Sequence, residues 1–332
     1  MFYFKKSKIL FFILFLIITF IFGLYYSSLC AENWNVKLKK IYYNKSNEKL
    51  FYPEIDRFSP FIFIGGWPRS GTTLMRIILD VNEQVRCGPE TRIIPRILDY
   101  HNQISNQKTF LKRTAIDLTT LEAATTAYIL EVIRRNGPNA KRLCNKDPMA
   151  FIYISILGKL FPNGKFVLMV RDGRAVTHSI FKRGIKISNI NHNDPWDILK
   201  HWNAGNKAMY DDCIQFGFSR CMIIKYENLV LRPTFWIKFV SDFLNISLDR
   251  KMFSHWKYIK SENIILNIFE RSTDQVINPI SANSLYDWMN DKVLSNEFIT
   301  TAHLKAPMLK ILSYDITKLP PDYGLSENYT SL

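Results

Sequence analysis

The sequence predicts an α/β fold in which a parallel β-sheet is flanked by helices, with one N-terminal transmembrane helix before it. Short, continuously apolar segments alternate with longer segments whose apolar residues recur every three or four positions. The first pattern is typical of strands buried on both faces, and the second of amphipathic helices. Their alternation indicates parallel strands joined by crossover helices. A glycine-bearing loop after the first strand adds the pattern of a phosphate-binding loop.

The N-terminal segment predicts a membrane anchor. Three lysines within residues 1–8, the expected cytosolic tail, precede a largely apolar stretch over residues 9–29. About 20 apolar residues suffice for a helix to cross a bilayer, and the preceding positive charge keeps the N-terminus cytosolic. Small residues at 28–31 leave a cleaved signal peptide as the alternative, but the apolar core of a signal is usually about 7–15 residues long. In either case the rest of the chain enters the secretory pathway.

The remainder is expected to form one luminal domain on a short stem. Residues 30–59 are polar and rich in Asn, Lys and Tyr, which predicts a stem, and residues 60–332 show no repeat or linker that would divide a domain. An apolar fraction of 47% excludes global disorder, and a formal net charge of +15 indicates anionic partners. Because the basic residues are spread along the chain rather than massed in one run, nucleic acid is not the expected partner.

The cysteines are consistent with a luminal domain. Cys87, Cys144, Cys213 and Cys221 follow the predicted anchor and allow three pairings. Cys213 and Cys221 flank a turn and could close a short loop, which would leave Cys87 with Cys144. Buried free thiols are the alternative, although an oxidising lumen favours disulfides. No CxxC pair or histidine cluster has metal-ligand spacing, so no zinc site is expected.

Three sequons point to the same compartment. They begin at Asn44, Asn245 and Asn328, and each has the form that luminal glycosylation requires. Such triplets also arise by chance, so unmodified surface loops are the alternative for each of them.

Within the domain, three segments predict strands and four predict helices. The apolar runs are short enough for buried strands, and the longer segments have helical periodicity. One of the helices is stopped by a Gly-Pro pair at residues 137–138. The expected strands cover residues 61–64, 165–170 and 221–226, and the expected helices cover residues 72–81, 118–135, 152–160 and 197–214.

The loop after the first strand predicts an anion site. Gly66 and Gly71 bracket this loop, and Thr72 opens a helix whose free N–H groups and dipole favour negative charge. The spacing nearly matches the GxxxxGK(S/T) loop of nucleoside triphosphatases, but Thr72 stands where that loop has its lysine. The missing lysine argues against an ordinary ATPase or kinase, and Arg69 supplies a cation instead. A purely structural turn is the alternative.

Five separate motifs resemble those of the protein-tyrosine sulfotransferase family, and the similarity extends from about residue 60 to residue 324. Several motifs in one order are more specific than any single loop. They are PRSGTTL at 68–74, RCGPETRIIPR at 86–96, LCNKDP at 143–148, VRDGRA at 170–175 and ERSTDQVI at 270–277.

The resemblance implies a sulfotransferase fold, 3′-phosphoadenosine 5′-phosphosulfate (PAPS) as sulfuryl donor, and tyrosines in acidic segments of secretory proteins as acceptors. It also implies a single-pass type II protein of the Golgi membrane with its domain in the lumen, and a homodimer. Because sulfonate transfer involves no chelated triphosphate, no obligatory metal is expected.

The resemblance also implies site residues. Glu90 is the expected catalytic base, while Lys146 and Ser272 would stabilise the leaving phosphate. Without the resemblance, Glu90 and Lys146 would pass for ordinary surface charges. In front of the base, Arg92 and Arg96, with Arg113 added, would select acidic acceptors by charge pairing.

The donor site implied by the resemblance has three parts. The phosphosulfate loop comprises Arg69, Ser70, Gly71, Thr72 and Thr73. The 3′-phosphate is expected on Arg171, Ser179 and Arg183, of which the last two share one helical face, and Tyr226 is a further nucleotide contact. A loop that closes over the nucleotide would contribute Ser272, Thr273, Asp274, Gln275, Val276, Ile277, Asn278 and Ser281.

Three positions depart from the family pattern. Pro89 replaces a second glutamate, Trp67 replaces a small apolar residue, and Asp287 stands where relatives carry a nucleotide-contacting lysine. An acid at this position would repel a 3′-phosphate unless Lys292 compensates. Two alternatives follow: a glycan sulfotransferase that shares only the donor site, and an anchored binding protein with an impaired nucleotide site.

Overall fold

The computed structural model describes residues 55–267, 269–282 and 285–325. Its described part is built on a five-stranded, all-parallel sheet with the order β2-β3-β1-β4-β5. The strands are β1 (Ile62–Gly65), β2 (Val85–Arg86), β3 (Arg142–Lys146), β4 (Lys165–Val170) and β5 (Cys221–Lys225).

The centre of the sheet is buried on both faces. In β1, Ile62 pairs with Cys144 of β3 on one side and with Lys165 of β4 on the other. Successive side chains point to opposite faces of a strand, so Phe63 enters the apolar cluster on one face while Ile62 and Ile64 enter the cluster on the other. This explains why β1 and β4 are continuously apolar rather than alternating.

Helices cover this sheet, and aspartates begin several of them. The Asp117 and Asp194 side chains accept hydrogen bonds from backbone N–H groups at the starts of two long helices, which is the usual N-cap role of this residue. The α-helices in the described residues are α1 (Thr72–Asp80), α2 (Ile94–Ser105), α3 (Lys108–Thr114), α4 (Leu118–Arg135), α5 (Ile154–Leu160), α6 (Gly173–Lys182), α7 (Pro195–Phe216), α8 (Tyr226–Leu231), α9 (Pro233–Leu244), α10 (His255–Tyr258), α11 (Thr273–Val276), α12 (Asp287–Asn290), α13 (Asn296–Lys305) and α14 (Met308–Ile311). Two 3₁₀ helices, Pro148–Tyr153 and Arg250–Ser254, directly precede α5 and α10.

The predicted fold class is confirmed for the domain, and most predicted elements lie within two residues of their observed bounds. The strand at 165–170 and the helix at 118–135 match at both ends. The helix expected over 152–160 begins as a 3₁₀ helix and becomes α-helical only at Ile154.

The sequence did not predict β2 and β3 or, among the described helices, α2, α3 and α8–α14. The strand β2 has only two residues, and β3 contains Arg142, Asn145 and Lys146, although all five of its side chains are buried. Polar residues in a buried strand remove the apolar signal on which the prediction depends.

Two disulfides tie these elements together. Cys87 directly follows β2 and bonds Cys144 of β3, while Cys213 of α7 bonds Cys221 at the start of β5. Of the three possible pairings, the structure thus has the one in which Cys213 and Cys221 close the short loop and Cys87 pairs with Cys144.

The predicted anchor, residues 9–29, lies outside the described residues, as do most of the stem and the sequons at Asn44 and Asn328. Among the residues that are described, no helix has the length and apolar character needed to cross a membrane. Asn245 is exposed at the C-terminal end of α9, and its glycosylation stays a prediction.

Candidate active site

The residues expected to be functional gather where the parallel strands end. The phosphate loop follows β1, Lys146 ends β3, Arg171 follows β4, and Tyr226 follows β5. Ligands of open parallel sheets bind at this carboxyl edge, in the crevice where neighbouring connections leave in opposite directions. The topology thus brings together side chains that are far apart in sequence.

The phosphate loop is shaped by two glycines. A Cβ on Gly66 would lie 2.1 Å from the Met169 carbonyl oxygen, and one on Gly71 would lie 2.4 Å from the Tyr226 ring. Both residues have positive φ, which glycine adopts most readily. Gly71 caps α1 and no side chain satisfies the free N–H groups of that helix, while the buried Ser70 hydroxyl has no hydrogen-bond partner in the described part of the chain. The loop therefore has donors available for an anion.

A cavity of about 250 Å³ opens beside this loop. Most of the residues expected to bind the donor line it, together with apolar residues that the sequence reading did not select: Leu74, Val230, Pro279 and Ile280. The expected residues in the lining are Arg69, Gly71, Thr72, Thr73, Arg171, Tyr226, Ser272, Gln275, Val276, Asn278 and Ser281.

Arg69 joins the phosphate loop to the segment at residues 272–281, here called the donor loop. Its guanidinium donates to the Ser272 hydroxyl, to the Gln275 side-chain oxygen at 2.7 Å and to the Ser179 hydroxyl at 3.0 Å. Burial, and then the nearby guanidinium groups of Arg171 and Arg183, lower the pKa of Arg69 to about 10. The guanidinium groups of Arg69, Arg171 and Arg183 are thus close enough to repel one another.

The three residues expected at the 3′-phosphate lie around this cluster. Arg171 stacks on the Tyr226 ring with 4.6 Å between guanidinium carbon and ring centre, and Ser179 accepts from Arg69. Arg183 caps α6 and forms an exposed ion pair with Asp274 at 3.2 Å. Their grouping supplies guanidinium donors of the kind that phosphate binding uses.

Two interactions of Val276 hold the donor loop against the rest of the domain. Val276 packs with Ile77 and Ile259 in a small apolar cluster, and its carbonyl accepts a hydrogen bond of 3.0 Å from Nε2 of the buried His255. Burial lowers the pKa of His255 to about 4, so the imidazole is neutral and carries its proton on Nε2. Thr273, Asp274 and Ile277 belong to the same loop but do not line the cavity.

Lys146 lies between two carboxylates at the inner end of the phosphate loop. Its fully buried ammonium is 3.2 Å from Oε2 of Glu90 and 2.8 Å from Oε2 of Glu270, and it donates to the Thr73 hydroxyl at 3.4 Å. The Glu90 side chain is 22% exposed, so the expected base is accessible from solvent. The structure thus places Glu90, the expected base, together with Lys146 and the phosphate loop in one cluster.

Glu270 is a charged residue of the site that the sequence alone did not predict. It lies within a quoted motif, but an isolated glutamate carries no signal of burial. Its carboxylate is 2% exposed, binds Lys146 and accepts the Glu90 backbone N–H at 2.8 Å. Burial works against ionisation of Glu270, but the attraction of Lys146 and the hydrogen bonds from Lys146 and Glu90 outweigh it and lower the pKa.

Asp147 shapes the segment that follows the base. Its carboxylate accepts from the Thr91 hydroxyl and, at 2.8 Å, from the backbone N–H of Arg92. Burial raises the pKa of Asp147 to about 6, although these hydrogen bonds oppose the shift. Arg92 has a positive φ of 57°, a conformation that few residues other than glycine adopt, so the hydrogen bonds to Asp147 hold a strained turn.

The three expected acceptor arginines differ in their relation to the base. The Arg92 Nε lies 3.6 Å from Oε1 of Glu90, and its Nη2 donates to the Phe269 carbonyl. Arg96 is exposed on α2 and Arg113 is exposed on α3. Of these three arginines, Arg92 alone has a contact with Glu90 among the described residues.

The three residues that depart from the family pattern have different surroundings. Trp67 is buried against Gly205 of α7, where a Cβ would lie 2.2 Å from the indole, so a glycine in that helix leaves room for the larger side chain. The Pro89 carbonyl accepts a hydrogen bond from Asn136. Asp287 is exposed at the start of α12 and does not line the cavity.

No group of three or more His, Cys, Asp or Glu side chains in the described ranges has an arrangement that could hold a metal ion.

Known proteins resemble this chain in sequence and in fold. A sulfotransferase family profile matches residues 60–250. The chain is 44% identical to protein-tyrosine sulfotransferase 2 of Gallus gallus, over 80% of this chain and 72% of that protein. It is 40% identical to protein-tyrosine sulfotransferase A of Caenorhabditis elegans, over 81% and 71%, and 42% identical to protein-tyrosine sulfotransferase 1 of Homo sapiens, over 80% and 72%.

Solved structures with much lower identity share the architecture. The sulfotransferase domain from the curacin biosynthetic pathway has a TM-score of 0.57 at 20% identity, covering 79% of this chain and all of that domain. The sulfotransferase domain of the Synechococcus PCC 7002 olefin synthase has a TM-score of 0.55 at 19% identity, covering 79% of this chain and 98% of that domain. These two likenesses concern the fold alone. With the identity to its relatives spread over four fifths of its length, the chain belongs to the protein-tyrosine sulfotransferase family.

Proposed function

We propose that this chain transfers the sulfuryl group of PAPS to tyrosine hydroxyls in acidic segments of proteins in the secretory pathway. The observation that carries this proposal is the position of Lys146. Its ammonium contacts both Thr73 of the phosphate loop and the carboxylate of Glu90. One cation thus lies where the donor and the acceptor would meet.

The residues in and around the cavity fit a nucleotide that carries phosphate groups at both its 3′ and its 5′ position. The N-terminus of α1, which has no side-chain cap, and the unpartnered Ser70 hydroxyl would take the 5′-phosphosulfate. The grouped arginines around Arg171 would take the 3′-phosphate. The apolar lining residues Val230 and Ile280 offer a surface for a purine ring. This fit supports PAPS as the donor rather than a simple phosphate.

The geometry also supports the chemistry of sulfuryl transfer. The tyrosine oxygen would form a bond to sulfur while the bond from sulfur to the bridging oxygen of the 5′-phosphate breaks, which leaves sulfotyrosine and 3′-phosphoadenosine 5′-phosphate (PAP). Glu90 would accept the phenolic proton as the new bond forms, because a phenol with a pKa near 10 does not ionise beforehand. Lys146 and Ser272 would stabilise the charge on the departing phosphate.

The acceptor side supports a preference for acidic segments. Arg92 stands beside the base with an exposed guanidinium, and Arg96 follows it on α2. Acidic residues next to the target tyrosine would pair with these cations, and such pairing fixes register and discriminates against neutral peptides. Arg113 is the third cation proposed for this role.

Location and assembly remain proposals that rest on the sequence. The two disulfides suit an oxidising compartment, which agrees with a type II protein of the Golgi membrane whose domain faces the lumen. A single anchor over residues 9–29 would hold it there. Homodimerisation is proposed from the family resemblance.

Acceptor competition tests the proposed function. The full-length chain in detergent is given PAPS labelled in the sulfonate, with an acidic tyrosine peptide, the same peptide carrying phenylalanine, and a glycan acceptor. Label is expected on the tyrosine peptide alone. Label on the glycan, or on no acceptor by a folded protein that still binds PAP, would contradict the proposal.

A further inference from the structure

Both oxygens of the Glu270 carboxylate are engaged at the centre of the site. Oε1 accepts the backbone N–H of Glu90 at 2.8 Å, and Oε2 accepts from the Lys146 ammonium at 2.8 Å and from the Thr73 hydroxyl at 3.4 Å. One buried side chain thus contacts the base segment, the cation and the phosphate loop. No expected catalytic or binding role accounts for it.

The two carboxylates around Lys146 differ in distance and in burial. Glu270 is closer, at 2.8 Å against 3.2 Å, and it is almost fully buried while Glu90 is partly exposed. Coulomb attraction grows as distance and local dielectric fall, so Glu270 is the stronger partner of the ammonium. Glu90 is therefore not the main counter-charge of Lys146, which leaves its carboxylate available for a proton.

Other charged side chains surround Lys146, Glu90 and Glu270, and their positive and negative charges offset one another. Arg76 lies close enough to Glu270 to favour its ionised form, and Arg92 lies beside Glu90. The buried Asp147 follows Lys146 directly and interacts with Glu90. Burying a charge is costly unless an opposite charge pairs with it, and the carboxylate of Glu270 supplies the nearest opposite charge for the buried Lys146 ammonium.

Glu270 also connects the catalytic centre to the donor loop. Its carbonyl accepts the backbone N–H of Thr273 at 3.0 Å, two residues before the Gln275 side chain that Arg69 holds. The start of the donor loop is thus fixed by the residue that holds Lys146 and Glu90.

Resting on the proposed function, we infer that Glu270 is a positioning residue for sulfuryl transfer. It is the nearer counter-charge of the Lys146 ammonium and holds that ammonium between the phosphate loop and the acceptor. It also holds the main chain of Glu90 so that the base faces the tyrosine. The carboxylate itself does not exchange a proton with the substrate.

Two substitutions separate this role from a merely structural one. Glu270→Gln keeps an oxygen for the Glu90 N–H but removes the charge and turns an amide toward Lys146. Glu270→Asp keeps the charge on a shorter arm. Glu262→Gln, which removes a carboxylate paired with Lys251 in a partly exposed ion pair, serves as the matched control.

The expected results are specific. Glu270→Gln should lower kcat by about 100-fold while the donor KM changes by less than about threefold, because ground-state donor contacts are retained. The basic limb of its pH–rate profile should move to lower pH, since an ammonium with one counter-charge instead of two holds its proton less tightly. Glu270→Asp should recover part of kcat and return the limb toward its original position, and Glu262→Gln should match the wild type.

A readout without turnover keeps this inference separate from the proposed function. The Lys146 amine can be titrated by NMR in the wild type and in Glu270→Gln, with PAP binding measured on the same samples. A folded Glu270→Gln variant with wild-type kcat and an unchanged Lys146 titration would overturn the inference. A variant that loses PAP binding but shows no shift in the pH–rate profile or in the Lys146 titration would also overturn it. Absence of tyrosine transfer by the wild type would instead overturn the proposed function.

Discussion

The Lys146 ammonium lies 3.2 Å from the Glu90 carboxylate, although 56 residues separate them in the chain. Lys146 ends β3, and Glu90 follows the neighbouring strand β2. The Cys87–Cys144 disulfide also joins β3 to the segment that contains Glu90. The proposed base and the proposed leaving-group cation are therefore fixed relative to each other by adjacent strands and a covalent bond. Such rigid placement is what catalytic groups require.

Glu90→Gln should abolish most turnover. The amide has nearly the same shape but cannot accept the phenolic proton, so kcat should fall by about 100- to 10,000-fold. Binding of PAP, measured by calorimetry, should stay within about threefold of the wild type, since Lys146 keeps Glu270 as its nearer partner. A variant with wild-type kcat would remove Glu90 from the role of base.

Gly71→Ala should impair donor binding. The residue has a φ of 90°, and a Cβ would lie 2.4 Å from the Tyr226 ring, so the phosphate loop and a cavity wall would have to separate. We expect the Kd for PAP to rise by at least about tenfold, which corresponds to about 1.4 kcal/mol.

The matched control for this glycine is Gly184→Ala. Gly184 also has positive φ, but no atom lies within 4 Å of a Cβ built there. It should lose some stability without a change in PAP affinity. Equal losses of affinity in both variants would show that backbone strain, rather than the contact with Tyr226, is responsible.

Asp274→Asn should strengthen PAP binding by about two- to fivefold at low salt, and the effect should fade as salt rises. Asp274 pairs with Arg183 at 3.2 Å, and the guanidinium would be free for the 3′-phosphate once that charge is removed. Adenosine 5′-phosphate, which lacks the 3′-phosphate, is the control ligand and should bind both proteins equally. A gain for both ligands would contradict the assignment of Arg183 to the 3′-phosphate.

His255→Gln should change how stability depends on pH. The pKa of His255 is about 4 in the folded protein and near 6.5 in an unfolded chain, so between these values only the unfolded state binds the proton. Stability from this residue therefore rises with pH across that window, by roughly 3 kcal/mol in total, and is lost as pH falls toward 4.

Denaturant unfolding of wild type and His255→Gln between pH 4 and pH 7 measures this contribution. The difference between their free energies of unfolding should grow with pH up to about 6.5 and then level off. Glutamine can still donate to the Val276 carbonyl, so donor affinity near neutral pH should be retained, whereas His255→Leu should weaken it. A difference that stays constant with pH would contradict the burial of a neutral imidazole.

The two disulfides should differ in their effects. Replacing Cys87 and Cys144 by serine opens a loop with a sequence separation of 57, and replacing Cys213 and Cys221 opens one of 8. The chain-entropy relation gives losses of about 4 and about 2.5 kcal/mol respectively. The first pair should also lower kcat because it joins the Glu90 segment to β3, and the second should not. Equal kcat in both variants would argue against that link.

Local patterns in the sequence were enough for the sheet-and-helix architecture and for the phosphate loop. Continuous apolar runs predicted β1 and β4 because these strands are buried on both faces, and β5 although one of its faces is only partly buried. The glycines and the threonine that opens α1 predicted the anion site because the free N–H groups at the start of a helix, a local feature of the backbone, favour negative charge. The motifs of the family resemblance supplied the candidate residues, but not their contacts.

The tertiary structure alone decided which charges meet. Lys146, Glu90 and Glu270 come from three distant segments, and nothing in their local sequence distinguishes a buried ion triad from solvated surface residues. The strand order places β3 beside β1 and β2, and the donor loop returns over the cavity, so that one ammonium gains two carboxylates. Ionisation and positioning depend on burial and on distances of a few ångströms, and these are set by packing across the whole domain.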